Sequence, residues 1–144
     1  LSAQETTGRT AAVNYLDEKV SFKSDKLPLQ NGSAKMEYNL DQDVQDTTIL
    51  IKDSEGRTVN TYSGETSQGT HEFTWDGTGQ YGNTWKDGTY TVKVSSSTAD
   101  GKQLSPTTYT FGTVTGADFT KEDGTRLEVN DTTVKLSEVR SVGT

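Results

Sequence analysis

Apolar and polar residues alternate along most of the chain. Ala34, Met36, Tyr38 and Leu40 form one row and Lys35, Glu37 and Asn39 the other, and a period of two places the rows on opposite faces of a β-strand. The same reading gives strands through Ala11, Val13 and Tyr15, through Val20 and Phe22, and through Ile49 and Ile51. Val59 to Tyr62 reads as a further strand at a sheet edge, followed by His71, Phe73 and Trp75 on one face and Tyr90, Val92 and Val94 on another. Tyr109 with Phe111, Val114, Phe119, Leu127 with Val129, and Val134 with Leu136 continue the pattern towards the end. Bends are expected at Glu55-Gly56, Asp76-Gly77, Asp87-Gly88, Asp100-Gly101 and Asp123-Gly124, where an acidic residue followed by glycine suits a tight turn. Helical periodicity is confined to residues 1–7 and to Leu136–Val142. The chain is expected to be all-β.

Two interruptions divide it. Leu27-Pro-Leu-Gln-Asn-Gly32 reads as a break before the Ala34 strand and Leu104-Ser-Pro106 as a break after the Val94 strand. Residues 31–106 are then the size of a small immunoglobulin-like or fibronectin-type sandwich. The flanks, 8–30 and 107–142, are each too short to bury a core, so they are expected to pair into a second small β-unit with the sandwich inserted in it. Hydrophobic residues make up only 28% of the 144 residues, which suits two thin units better than one thick core.

Charge narrows the partners. The formal net charge is −7, which argues against nucleic acid and anionic membrane surfaces, both of which need a basic footprint. No cysteine is present, so disulfides, thiolate metal sites and thiol nucleophiles are excluded. The apolar runs are too short to span a bilayer as a helix. The start, Leu1-Ser-Ala-Gln-Glu, lacks the basic and apolar regions of a secretory signal and has no Met, so the chain is expected to be a fragment or a processed form.

Several motifs invite a chemical reading. Gly77-Thr-Gly-Gln-Tyr-Gly82 matches G-x-G-x-x-G, but a dinucleotide fingerprint must open a helix, and Asn83-Thr-Trp-Lys-Asp-Gly follows instead. Asp76 to Asp87 has the length of a calcium loop, yet Thr78, Gln80 and Tyr81 stand where a denser oxygen cage is needed. Asp41, Asp43 and Asp46 read as a solvated acidic turn. Asn31-Gly-Ser33 and Asn130-Asp-Thr132 match glycosylation sequons, meaningful only in a eukaryotic secreted chain. His71 is the only histidine and alternates with Phe73 and Trp75, which fits a packed or edge-strand residue better than a general base. No catalytic, cofactor-binding or metal-binding residue is assigned, and no cofactor is expected.

Tyr81 and Trp85 are the candidate contact residues. Both lie in the glycine-rich excursion between the Trp75 and Tyr90 strands. Exposed, they suit protein contact or stacking on a sugar; folded back, Trp85 would plug the sandwich end and order the loop. Trp75 is expected in the core.

These residues resemble a known family. Gly69-Thr-His-Glu-Phe-Thr-Trp-Asp-Gly-Thr to Gly82, followed by Asp87-Gly-Thr-Tyr-Thr-Val92, is similar to the immunoglobulin-like domain of the bacterial flagellar hook-capping family. Gly8-Arg-Thr-Ala-Ala-Val13 resembles that family's opening segment, and Gly112-Thr-Val-Thr-Gly116 with Leu127-Glu-Val to Val139 resembles its closing β-unit. The resemblance implies a fibronectin type III or immunoglobulin-like sandwich inserted in a small Tudor-like barrel. It implies a non-enzymatic scaffold at the distal tip of the growing hook that directs polymerisation of hook protein and self-associates into a ring. Export would pass through the flagellar type III apparatus without a cleaved signal, and the family's N-terminal segment lies largely outside this sequence. A methyl-lysine cage is not expected of the barrel, because Tyr15, Phe22, Tyr109, Phe111 and Phe119 alternate into core positions. The other classes that fit the sandwich are an adhesion or spacer domain and a carbohydrate-binding module.

Overall fold

The structure, a computed structural model, describes residues 11–143. Its strands are β1 (Lys19–Lys23), β2 (Lys26–Leu29), β3 (Ala34–Leu40), β4 (Asp46–Lys52), β5 (Thr58–Ser63), β6 (Gly69–Trp75), β7 (Gly88–Ser97), β8 (Gln103–Leu104), β9 (Thr107–Thr113), β10 (Gly116–Asp118), β11 (Arg126–Val129), β12 (Thr132–Lys135) and β13 (Val139–Val142). One sheet has the order β13-β1-β9-β3-β6, a second β2-β7-β4-β5 with β8 also on β7, and a third β10-β11-β12. The all-β expectation holds. At all five acidic-glycine bends the glycine has a positive φ, from 82° at Gly56 to 157° at Gly88, the residue that opens β7.

Two clusters of buried side chains form the cores. The larger lies between the first two sheets and takes Met36, Tyr38 and Leu40 from β3, Ile49 and Ile51 from β4, Trp75 from β6, and Tyr90, Val92 and Val94 from β7. The smaller unites both ends of the chain: Ala12, Val20 and Phe22 meet Val114, Leu127, Val129 and Val134. Strand β9 belongs to the surroundings of both, because Thr110 pairs with Phe22 of β1 on one side and with Met36 of β3 on the other. Gln30 adds a side-chain tie: its Nε2 donates to the Thr113 carbonyl at 3.0 Å and to Asn130 Oδ1 at 3.1 Å, while its Oε1 accepts from the Thr113 amide at 2.8 Å. Arg140 donates to Glu37 at 2.7 Å and its guanidinium lies 4.1 Å from the centre of the Tyr109 ring.

Four readings of the sequence need correction. Leu27 to Leu29, read as part of a break, belong to β2, a strand paired with β7, and Leu27 and Leu29 are fully buried in the larger core. Pro28 disguised it; β2 ends its sheet, and an edge strand tolerates a residue without an N–H. Residues 11–14 are helical rather than extended, so Ala12 is buried while Val13 is 53% exposed. Three alternating residues fit either period, Ala-Ala favours helix, and Asp17 with φ 66° stops it. Residues 1–7, and 8–10 of the resembling opening segment, lie outside the described residues. Leu136–Glu138 is a short 3-10 turn, but the helical reading fails beyond it because Val139–Val142 pairs with β1 as β13. Phe119 follows the end of β10 and is 37% exposed, outside both cores.

Candidate functional site

The excursion between β6 and β7 is a folded loop. Asp76 accepts the Thr78 amide at 3.0 Å and Gly77 adopts φ 84°, which turns the chain out of β6. The hydroxyl and amide of Thr78 hold the Asp76 carboxyl below the usual carboxylate range. Thr78 then bridges Thr84, the Gly79 amide donates to the Asn83 carbonyl at 2.7 Å, and the Trp85 amide donates to the Gly77 carbonyl at 2.8 Å. The result is a miniature hairpin whose tip is Gln80-Tyr81-Gly82.

The sandwich pins this hairpin from three directions. The Thr78 carbonyl accepts from Trp75 Nε1 at 3.0 Å, Asn60 Nδ2 at 3.0 Å and the Tyr62 hydroxyl at 3.3 Å. The Gln80 amide donates to the Val59 carbonyl at 2.8 Å, fastening the tip to the edge of β5. On the return, the Tyr90 hydroxyl donates to the Lys86 carbonyl at 2.6 Å, and the Asp87 carboxylate accepts the amides of Asn31 and Gly32 at 2.7 and 3.0 Å. Burial raises the pKa of Tyr62 and Tyr90, and the nearby charges of Asp76, and of Asp53 and Asp87, push each the same way. Both phenols are therefore neutral donors at any physiological pH.

The two candidate residues part company. Tyr81 is 89% exposed at the tip. Trp85 folds back against the larger core, edge-on to Tyr90 with ring centres 6.1 Å apart, and Tyr90 in turn meets Trp75 edge-on at 4.9 Å. Its indole Nε1 is buried without a hydrogen-bond partner and is packed so closely on Gly79 that a Cβ there would come within 2.4 Å of it. Thus the G-x-G-x-x-G string is a hairpin with no helix after it, and its middle glycine makes room for a tryptophan. The pins Asn60, Tyr62 and Gln80 escaped the sequence reading, since the first two lie on another strand and no spacing links them to the loop.

The remaining candidates are structural. Asp76 and Asp87 serve separate turns. Asp41, Asp43 and Asp46 accept from Asn39 Nδ2, the Gln68 amide and the Ser97 hydroxyl respectively. Among the described residues no group of three or more His, Asp or Glu is disposed to hold a metal ion. His71 sits on β6, with Nε2 donating to the Ser67 carbonyl at 2.6 Å and its ring 5.6 Å from Tyr38. The loop is thus pinned on both sides and presents one aromatic, Tyr81, to solvent.

Comparison with known proteins agrees with this architecture. A family model for the FlgD Ig-like domain matches residues 24–100. The chain belongs to the FlgD family. It is 36% identical over 105 residues to the basal-body rod modification protein FlgD of Escherichia coli (strain K12), covering 72% of this chain and 45% of that protein. FlgD of Salmonella typhimurium is likewise 36% identical over 106 residues, covering 72% and 44%. The chain therefore spans about half the length of the curated relatives it matches. Its fold is that of FlgD from Xanthomonas campestris, a protein described in terms of hook capping essential for flagellar assembly, with TM-score 0.78 and 24% identity over 95% of this chain and 99% of that one. FlgD from Pseudomonas aeruginosa is similar at TM-score 0.76 and 26% identity, over 90% and 98%. Covering 95% of this chain, the structural likeness to FlgD from Xanthomonas campestris extends beyond residues 24–100 on both sides.

Proposed function

We propose that the chain is the body of a hook cap: a non-enzymatic scaffold outside the cell, at the distal end of the growing hook, that directs polymerisation of hook protein. The observation that carries this reading is the likeness to FlgD over both the sandwich and the unit built from the chain's two ends. An adhesion or spacer sandwich would account for the middle of the chain only. On this reading residues 31–106 act as the fibronectin-like or immunoglobulin-like sandwich and 8–30 with 107–142 as a Tudor-like barrel. The strand pairing favours giving β2 to the sandwich, because it adds to β7. Export runs through the flagellar type III apparatus without a cleaved signal, and the cap closes as a ring of copies in head-to-tail contact.

The pinned hairpin supplies a contact point for hook protein or a neighbouring cap subunit. Ordering a loop before binding lowers the entropic cost of the contact, and here the backbone is already fixed on both sides of Tyr81. A carbohydrate-binding reading loses one of its two stacking faces, since Trp85 packs on Tyr90. The test is deletion of the full-length gene in the source organism, scored by electron microscopy and by assaying the medium for hook subunit. Absent hooks with unpolymerised subunit outside the cell, restored by the intact gene, are expected. Normal hooks in the deletion strain refute the proposal.

A further inference from the structure

The two large sheets have four edges, and three are guarded. β2 carries Pro28, which removes an edge donor. β5 is covered by the hairpin, with the Val59 carbonyl taken by Gln80 and the Thr61 amide taken by the side chain of Asn60. β13 is four residues long and carries Arg140. The fourth edge, β6, is seven residues long and has no proline, lysine or arginine. Among the described residues no backbone hydrogen bond reaches it from outside β3. Proteins ordinarily blunt such an edge, because its free N–H and C=O groups are a template for another strand.

We propose that β6 is a docking edge that accepts an extended segment of the hook subunit as an added strand, with a Lys or Arg of that segment opposite Glu72. The proposal rests on the cap reading above. Charge selects the occupant. Glu72 is the central residue of β6; it pairs with Lys35 of β3 at 3.4 Å, and its side chain is still 63% exposed, open to a second basic partner. Two copies pairing antiparallel about that centre would set Glu72 against Glu72, an arrangement that like charges disfavour. A basic residue at the same position is favoured, in a chain whose net charge is −7. The exposed side chains of β6, Thr70, Glu72 and Thr74, are β-compatible and polar, so main-chain hydrogen bonds supply most of the affinity. Tyr81 stands on the same flank, for β5 and β6 are neighbours through the Tyr62–Phe73 ring pair at 5.0 Å and the hairpin lies along β5.

The test is amide hydrogen exchange on the full-length protein with and without purified monomeric hook subunit. Addition of the subunit is expected to slow exchange of the outward-facing β6 amides about tenfold or more. The pair Thr70→Lys and Thr74→Lys puts unpaired lysines on the edge without touching a buried residue; it is expected to weaken binding about tenfold with little change in Tm. Glu72→Lys is expected to weaken it about threefold, as a reversed cross-strand pair does. Subunit binding with β6 exchange unchanged overturns the docking edge and leaves the cap reading standing. If the subunit does not bind and the gene-deletion strain makes normal hooks, both fall. Protection of β6 that rises with the protein's own concentration, without subunit, overturns the proposed occupant in favour of a second copy.

Discussion

Gly79→Ala tests the account of the hairpin most directly. A Cβ at residue 79 would lie 2.4 Å from Trp85 Nε1, 2.7 Å from Asn83 Oδ1 and 2.9 Å from Trp85 Cδ1. The methyl cannot turn away, because the Gly79 amide is bonded to Asn83 and its carbonyl to the Gly82 amide. Relief by small shifts costs about 1–3 kcal/mol, the usual range for overpacking. Relief by expelling the indole loses roughly 100 Å² of burial, or about 2.5 kcal/mol. Either route gives about 2 kcal/mol, which for a domain of this size lowers Tm by about 6 °C. The assay is thermal melting together with tryptophan emission. Trp75 is 1% exposed, so a red shift reports Trp85. Gly82→Ala is the control: φ there is 85° with nothing within 4 Å of the new Cβ, so backbone strain costs about 1–2 kcal/mol without moving the indole. A Gly79→Ala protein with unchanged Tm and unchanged emission would refute the packing argument.

Three further outcomes are expected. Tyr81→Ala should change the unfolding free energy by no more than about 0.5 kcal/mol while reducing hook assembly in complemented cells; full assembly would remove Tyr81 from the contact surface. Thr110→Val should stabilise the fold by about 1–2 kcal/mol in denaturant titration, because the Thr110 hydroxyl is fully buried with no hydrogen-bond partner. Burial pushes the Asp53 carboxyl up, but hydrogen bonds from the Arg57 amide and guanidinium and the Glu55 amide outweigh it, and the pKa lies below its ordinary value of 3.8. A pKa lowered by folding stabilises above the unfolded value and the stability is lost as pH falls through the folded one; Tm of the parent should drop on acidification below about pH 4, and Asp53→Asn should be less stable at neutral pH with a shallower acid decline.

The strands that face a core on one side were legible because burial imposes the period of two. Met36, Tyr38, Ile49, Ile51, Val92 and Val94 all lie where alternation put them. Misreadings arose where a different constraint acted. Pro28 carries a turn signal that an edge strand overrides, and Ala11 to Tyr15 is too short to distinguish two periods. The hairpin's length and glycines were visible, and so was the fold-back of Trp85 as one of two outcomes. What fixes it was not: the converging donors on the Thr78 carbonyl come from β5 and β6, and only the register of the sandwich brings them together. The exposure of Tyr81 follows from that same register.

Strand β9 sets a limit on how this protein can be divided. The residues matched to the Ig-like domain end at 100, yet β3 pairs with β9, at 107–113, along Met36 to Asn39. A recombinant piece ending at residue 100 would expose the inner side of β3 as a bare, apolar-faced edge and invite aggregation. The other fragment, carrying β9 without β3, would have the same defect on the opposite side. The sandwich is therefore not a portable cassette: its sheet is completed by a strand that also completes its neighbour, and a swap between relatives has to carry β9 and the β1 segment it pairs with.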